Sequence, residues 1–292
     1  MKNLPDVQSA LSNLRYRLTR VGVKGVKKIV YVKRPGAKEI IVLPTTIDLF
    51  VDLPATQKGS HMSRNVELTE EIVETSRKKP VRDLESFCAE VAKALLDRHE
   101  YASFAEVRAT ADYFMERENP FGRKEEQPYK LIAEVRAERG GKIRKLIGVE
   151  AIGMTACPCA MEVVRAIKGK EADDIVPTHN QRNRSTLIIE VPGDYFIEAN
   201  DLIDIVEKAF SSPTYGILKR REEGEVVIKA HGNPKFVEDV VRDMLDMVTK
   251  KYKDLPDDTI VIARSESEES IHKHNAFAER ITTLGELREG SF

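Results

Sequence analysis

Apolar and polar positions alternate strictly where the regular part of the chain begins, in KKIVYVKR (27–34) and again in EIIVLPTTIDLFVDLP (39–54). A period of two puts successive side chains on opposite faces of a strand, so both segments read as half-buried β-strands turning at Pro35-Gly36. The period then lengthens. LTEEIVETS (68–76) and LESFCAEVAKALLDR (84–98) carry apolar residues three and four apart, the spacing of amphipathic helices. FAEVRATADYFME (104–116) returns to a strand pattern, and residues 129–154 read as a second strand pair turning at Gly140-Gly141. Helical stripes follow at 201–210 and 236–252, and DTIVIARSE (258–266) closes as a strand.

Strand pair, polar loop, helices, strand: the order occurs twice. Each polar loop carries a His and an Arg three residues apart, His61 with Arg64 and His179 with Arg182. The repetition predicts an internal duplication into two α+β modules, each an antiparallel sheet with helices on one face. The polar stretch ENPFGRKEEQP (118–128) reads as the linker, which bounds the modules at 1–122 and 123–292.

Composition narrows the function classes. The 292 residues, 41% of them hydrophobic, suit one large domain or two of ordinary size. Lys and Arg number 47 against 48 Asp and Glu, a net charge of −1, which argues against a basic field for nucleic acid. No apolar run approaches the roughly 18 residues that span a bilayer, and the N-terminal segment lacks the apolar core of a secretion signal. The expectation is a soluble, cytoplasmic protein with no nucleic-acid or membrane partner. Its many Lys, Arg and Glu residues and scarce Gln suit a thermophile.

Three cysteines are too few for a disulfide framework, and two of them share Cys157-Pro158-Cys159. That spacing does not suit a zinc knuckle. The Pro fixes a bend, which predicts one thiol in a pocket and the other in the core. A single thiol among His and Glu side chains makes an open metal site, or a nucleophile; two small buried residues are the plainer alternative. His99 ends a helical pattern and is expected to meet its terminal carbonyls, while His231 falls in an expected turn. His61, His179, His272 and His274 sit in contexts richer in polar groups. Lys58, His61 and Arg64 flank Gly59-Ser60, a loop suited to phosphate. Lys219-Arg220-Arg221 before Glu222-Glu223 reads as a charged hairpin tip. Glu238 stands near the start of a helix, where a carboxylate suits the dipole.

Six segments in order, KGSHMSR (58–64), TACPCA (155–160), THNQRN (178–183), SSPTYGILKR (211–220), NPKFVEDVVRD (233–243) and ESIHKHNA (269–276), resemble the GTP cyclohydrolase family that includes bacterial type IB and archaeal enzymes. The resemblance implies two tandem tunnelling-fold (T-fold) modules, with active sites completed between subunits of a dimer or tetramer. It implies GTP as substrate and opening of the guanine imidazole ring, with loss of formate. On the matching positions it implies Cys157, His179, Glu223 and His272 as metal ligands, with Fe(II) as the ion and Mn or Zn as substitutes. It further implies His274, or whichever of His272 and His274 does not bind metal, as a proton carrier, Glu238 on the guanine edge, and Lys58, His61, Arg64, Arg182 and Lys219 on the triphosphate. The long spacing from Cys159 to Thr178, and CPCA rather than CPCS, point to the archaeal branch, whose product is 7,8-dihydroneopterin 2′,3′-cyclic phosphate. The bacterial branch makes the triphosphate instead. A non-catalytic metal-binding scaffold is the alternative from another class.

Overall fold

The structure, a computed structural model, describes residues 6–36, 38–171, 174–193 and 195–290; the first five residues of the N-terminal segment read above lie outside this set. Contacts divide the chain into two units. Unit 1 holds residues 1–112 and 132–147, and unit 2 holds 113–131 and 148–292.

In unit 1, β1 (Leu18–Val32) pairs antiparallel with β2 (Ile41–Leu53), in registers such as Val30↔Leu43 and Val23↔Leu49. β2 in turn pairs with the first part of β3 (Phe104–Glu118), Leu49 facing Val107. The 132–147 portions of β4 (Lys124–Glu138) and β5 (Ile143–Ala156) continue the sheet. Alternation decides its faces: Leu43, Ile47, Leu49 and Val51 are buried on the side covered by α1 (Met62–Lys78) and α2 (Leu84–Arg98). α2 starts where its sequence says it should. Asp83 caps it by accepting from Ser86 N at 2.7 Å, and Phe87, Cys88, Val91 and Leu95 form its buried stripe.

Unit 2 has the strand order β5, β6 (Asn180–Glu190), β8 (Ile260–Ser267), β9 (Ala276–Thr283), all antiparallel, with the two-residue β7 (Ser212–Pro213) also on β5. Its helices are α3 (Pro158–Lys168), α4 (Ala199–Ala209), α5 (Arg220–His231), α6 (Val237–Lys251) and the short α7 (Leu284–Arg288). α4 and α6 contribute Leu202, Ile203, Val206, Val240, Met244 and Val248 to the core over β6 and β8. Gly153 permits one tight approach here. A Cβ at that position would lie 2.0 Å from the Phe210 ring, so any side chain is excluded. Among the described residues, no helix is long and apolar enough to cross a membrane.

Four expectations are corrected. Residues 118–128 are not a linker: they form the end of β3, a turn at 119–123 and the start of β4. The strand pair 129–154 is divided in the contact pattern: 132–147 belong to unit 1, and 129–131 and 148–154 to unit 2. The repeated His-x-x-Arg takes two different conformations. His61 caps α1 and Arg64 lies in its first turn, whereas His179 immediately precedes β6 and Arg182 lies on it. The charged tip at 219–223 is the start of α5, since the acidic pair Glu222-Glu223 suits a helix N-terminus.

Candidate active site

One pocket of unit 2, about 420 Å3, gathers most of the chemistry. Cys157 is the residue that caps α3. Pro158 at the first helical position needs no N–H partner, and the Cys157 sulfur accepts from Ala160 N at 3.4 Å. A helix N-terminus is where negative charge on sulfur is best tolerated. Cys159 also lines the pocket and is exposed, so neither thiol enters the core as the Pro bend had suggested.

His179 is tied to Cys157 through the backbone, Cys157 N donating to His179 O at 3.0 Å and Thr178 Oγ1 to Cys157 O at 2.7 Å. Its ring orientation follows from a buried clamp. Gln181 Nε2 donates to Glu269 Oε1 at 3.2 Å, because a carboxylate can only accept; Gln181 Oε1 is thereby turned to His179 Nδ1 at 2.9 Å. Nδ1 must then carry the proton, with Glu269 Oε2 3.6 Å away as a second acceptor. That puts the lone pair of the ring on Nε2. His272 and His274 lie in the segment before β9, exposed, their rings stacked at 5.1 Å, with His272 edge-on to His179 at 6.4 Å. Glu238 reaches the same pocket from the first turn of α6 and is exposed rather than buried. Gln181 and Glu269 had no role in the sequence reading, although both sit inside motifs it singled out.

Other expected members are elsewhere. Glu223 is exposed in the first turn of α5 and does not line the pocket; the carboxylate beside His179 is Glu269. Arg182 is exposed, one position along β6 from the pocket-lining Gln181, and so faces away from it. Lys219 is exposed at the cap of α5.

Lys58, His61 and Arg64 belong to unit 1, at and just before the start of α1. His61 Nε2 lies 3.1 Å from Asp6, and Arg64 Nη1 donates to Arg98 O at 3.3 Å. Beneath them is a buried chain in which Tyr101 Oη stands 2.8 Å from Ser60 Oγ and 2.9 Å from His99 Nδ1. His99 Nε2 meets Asn65 Oδ1 at 2.6 Å, so its ring is engaged here and not with helix carbonyls. Burial holds the His99 imidazole well below its ordinary range, at about 4, helped by the charges of Arg64 and His61.

A thiol and imidazoles with one tautomer fixed are a donor set that suits a mid-row divalent ion. Among the described residues, no three His, Cys, Asp or Glu side chains converge on one point.

The profile described as type I GTP cyclohydrolase folE2 matches residues 4–278. The chain belongs to that family. GTP cyclohydrolase MptA of Methanothermobacter thermautotrophicus is 46% identical, the match covering 97% of this chain and 95% of that protein. GTP cyclohydrolase MptA 2 of Methanocella arvoryzae is 45% identical over 98% of both, and the Methanosarcina mazei MptA is 44% identical over 98% and 97%. Solved structures similar to this family member include uricase from Arthrobacter globiformis, with TM-score 0.52, 8% identity and coverage of 94% and 95%. A urate oxidase mutant of Bacillus sp. TB-90 gives TM-score 0.53 at 11% identity, covering 91% and 99%. At such identities the likeness concerns the fold alone, and that fold is the α+β tunnelling fold.

Proposed function

We propose that this chain is a cytoplasmic, metal-dependent GTP cyclohydrolase converting GTP to 7,8-dihydroneopterin 2′,3′-cyclic phosphate, with release of formate and diphosphate, at the first step of a tetrahydromethanopterin-type pterin pathway. The observation that carries it is the pocket in which Cys157, His179, His272 and Glu238 meet, in a chain of the GTP cyclohydrolase family.

Cys157, His179 and His272 are the side chains that would hold the ion, Fe(II) by preference and Mn or Zn as substitutes. A divalent ion there would supply Lewis acidity and hydroxide near neutral pH, the nucleophile that ring opening at the guanine C8 requires. The protein's own groups do the rest. Glu238, on the pocket rim, accepts from the guanine N1–H and amino group, which rejects bases lacking those donors. The Gln181–Glu269 clamp keeps the His179 proton on Nδ1. His274, stacked on His272, is the imidazole available to carry protons during the hydrolytic steps.

Lys58, His61 and Arg64 of a second copy, with Arg182 and Lys219, are assigned to the triphosphate, and Glu223 to the metal set of the assembled dimer or tetramer. The tandem modules 1–122 and 123–292 belong to the same proposal, as the traces of duplication. Anaerobic incubation with GTP and Fe(II), followed by product mass, tests the reading. Cyclic phosphate supports it, dihydroneopterin triphosphate assigns the chain to the bacterial type IB reaction and kinship, and unchanged GTP in a metal-replete sample favours a non-catalytic scaffold.

A further inference from the structure

The face of the unit 1 sheet turned away from α1 and α2 is charged. On β3, Ala105, Val107 and Ala109 point into the core, which puts Glu106 and Arg108 on the other side. Glu106 is nevertheless almost completely covered, its side chain 2% exposed. Guanidiniums cover it. Arg108 Nε lies 2.7 Å from its Oε1, Arg20 Nη1 3.4 Å from Oε1, and Arg136 Nε 3.4 Å from Oε2. Arg20 is also positioned over the Phe50 ring, 6.0 Å from its centre. A cavity of about 470 Å3 opens at this point, lined by Arg20, Arg136, Lys142, Arg144, Glu106 and Glu138.

The charges do not cancel. Arg108 has a second carboxylate, Glu134, at 4.0 Å, yet Arg20, Arg108, Arg136 and Lys142 together outnumber Glu106, Glu134 and Glu138. The Glu106 Oε1–Arg108 Nε contact lacks hydrogen-bond geometry, so attraction gathers the guanidiniums without using up all their donors. An ordinary solvated sheet face would carry exposed charges of both signs. Here one buried carboxylate holds several forks at the edge of a concave space, and a guanidinium fork matches two oxygens of a tetrahedral oxyanion.

We propose that this cavity is a binding site for a multivalent phosphoryl anion, phosphate or diphosphate, made of residues separate from those of the Cys157 pocket and from loop 58–64. Glu106 is its positioning residue, and Arg20 and Arg136 are the principal donors.

The test is a thermal-shift and equilibrium-dialysis titration of the full chain with inorganic phosphate and with diphosphate, against potassium chloride at matched ionic strength. Saturable binding with a rise in Tm is expected for both anions. Arg20→Ala and Arg136→Ala should each weaken it about tenfold, the usual effect of losing a charge-assisted contact, while Arg136→Lys keeps the charge and should recover part of the loss. Arg64→Ala, which removes a proposed triphosphate contact, should leave unchanged the binding component that Arg20→Ala and Arg136→Ala weaken. Circular dichroism of each variant separates lost binding from lost fold. No saturable binding beyond the chloride control overturns the proposal. So does binding abolished by Arg64→Ala but untouched by Arg20→Ala and Arg136→Ala. GTP turnover is not read in these assays, so their failure is distinguishable from failure of the proposed activity.

Discussion

Which nitrogen of His179 carries the proton depends on Gln181, a neighbour outside the proposed ligand set. Gln181 is held by Glu269, and the amide so fixed dictates the proton position on the imidazole. Replacing Gln181 by Leu should leave the fold intact but release the ring. Metal affinity is expected to fall about 10–100-fold, the usual consequence of losing a partner behind a ligand, and a competition titration with a metal chelator measures it. An unchanged affinity would remove the clamp from the site.

A second residue-scale consequence concerns Glu85, in the first turn of α2. Burial pushes its carboxyl up to about 8, with the charge of Asp83 acting in the same direction, and its Oε2 has no hydrogen-bond partner. A group raised in the folded state stabilises below its unfolded value, ordinarily 4.5, and loses that contribution as pH rises through the folded one. Denaturant unfolding should therefore show stability falling between about pH 5 and pH 8. The loss attributable to this residue is about 3 kcal/mol, and Glu85→Gln should flatten the slope. Neither Gln181 nor Glu85 was legible as a functional or titrating residue beforehand, because tautomer and burial depend on partners distant in the chain.

Elements with a strong period were the easiest to read. α2 was expected at 84–98 and spans Leu84–Arg98, and α6, expected at 236–252, spans Val237–Lys251. β1 is legible only from residue 27, although it starts at Leu18, because Gly22, Lys24 and Gly25 dilute the alternation. α3 and α5 were missed for another reason. α5 buries only Val226, Ala230 and His231, too narrow a stripe to stand out, and α3 buries only Met161. The motifs of the site were nonetheless all present in the sequence; what it lacked was which face each occupies, as Arg182 and Gln181 illustrate on β6.

Gly153 sets the spacing at element scale. With Phe210 against its Cα and β7 paired at this position, Gly153→Ala forces the ring or β5 to move. A loss of about 1–3 kcal/mol is expected, as for other overpacked cores, read from the shift in urea midpoint. Retention of wild-type stability would mean that the Phe210 ring has room to rotate away.

At the scale of the assembled molecule, the proposed site draws on groups from both units, contributed by different copies. Arg64→Ala and Cys157→Ala should each abolish GTP turnover alone. Mixed after joint refolding, they should regain a substantial fraction, because hybrid oligomers contain sites lacking neither residue. Two inactive proteins that stay inactive when mixed, though they co-assemble, would place all the required groups on one copy. The fold class was legible in the order of strands and helices, whereas the linker was not. A turn rich in Pro, Gly and charge looks the same in sequence whether it joins two domains or two strands of one sheet, and 118–128 is the latter.

The division of β3, β4 and β5 between the two units limits where the chain can be cut. A fragment ending at residue 122 would lack 132–147, which complete the sheet of unit 1, while a fragment starting at 123 would carry those strands without their neighbours and lack 113–122 of its own unit. Either half expressed alone, cut after residue 122, should be insoluble, as read from its share of the supernatant after lysis.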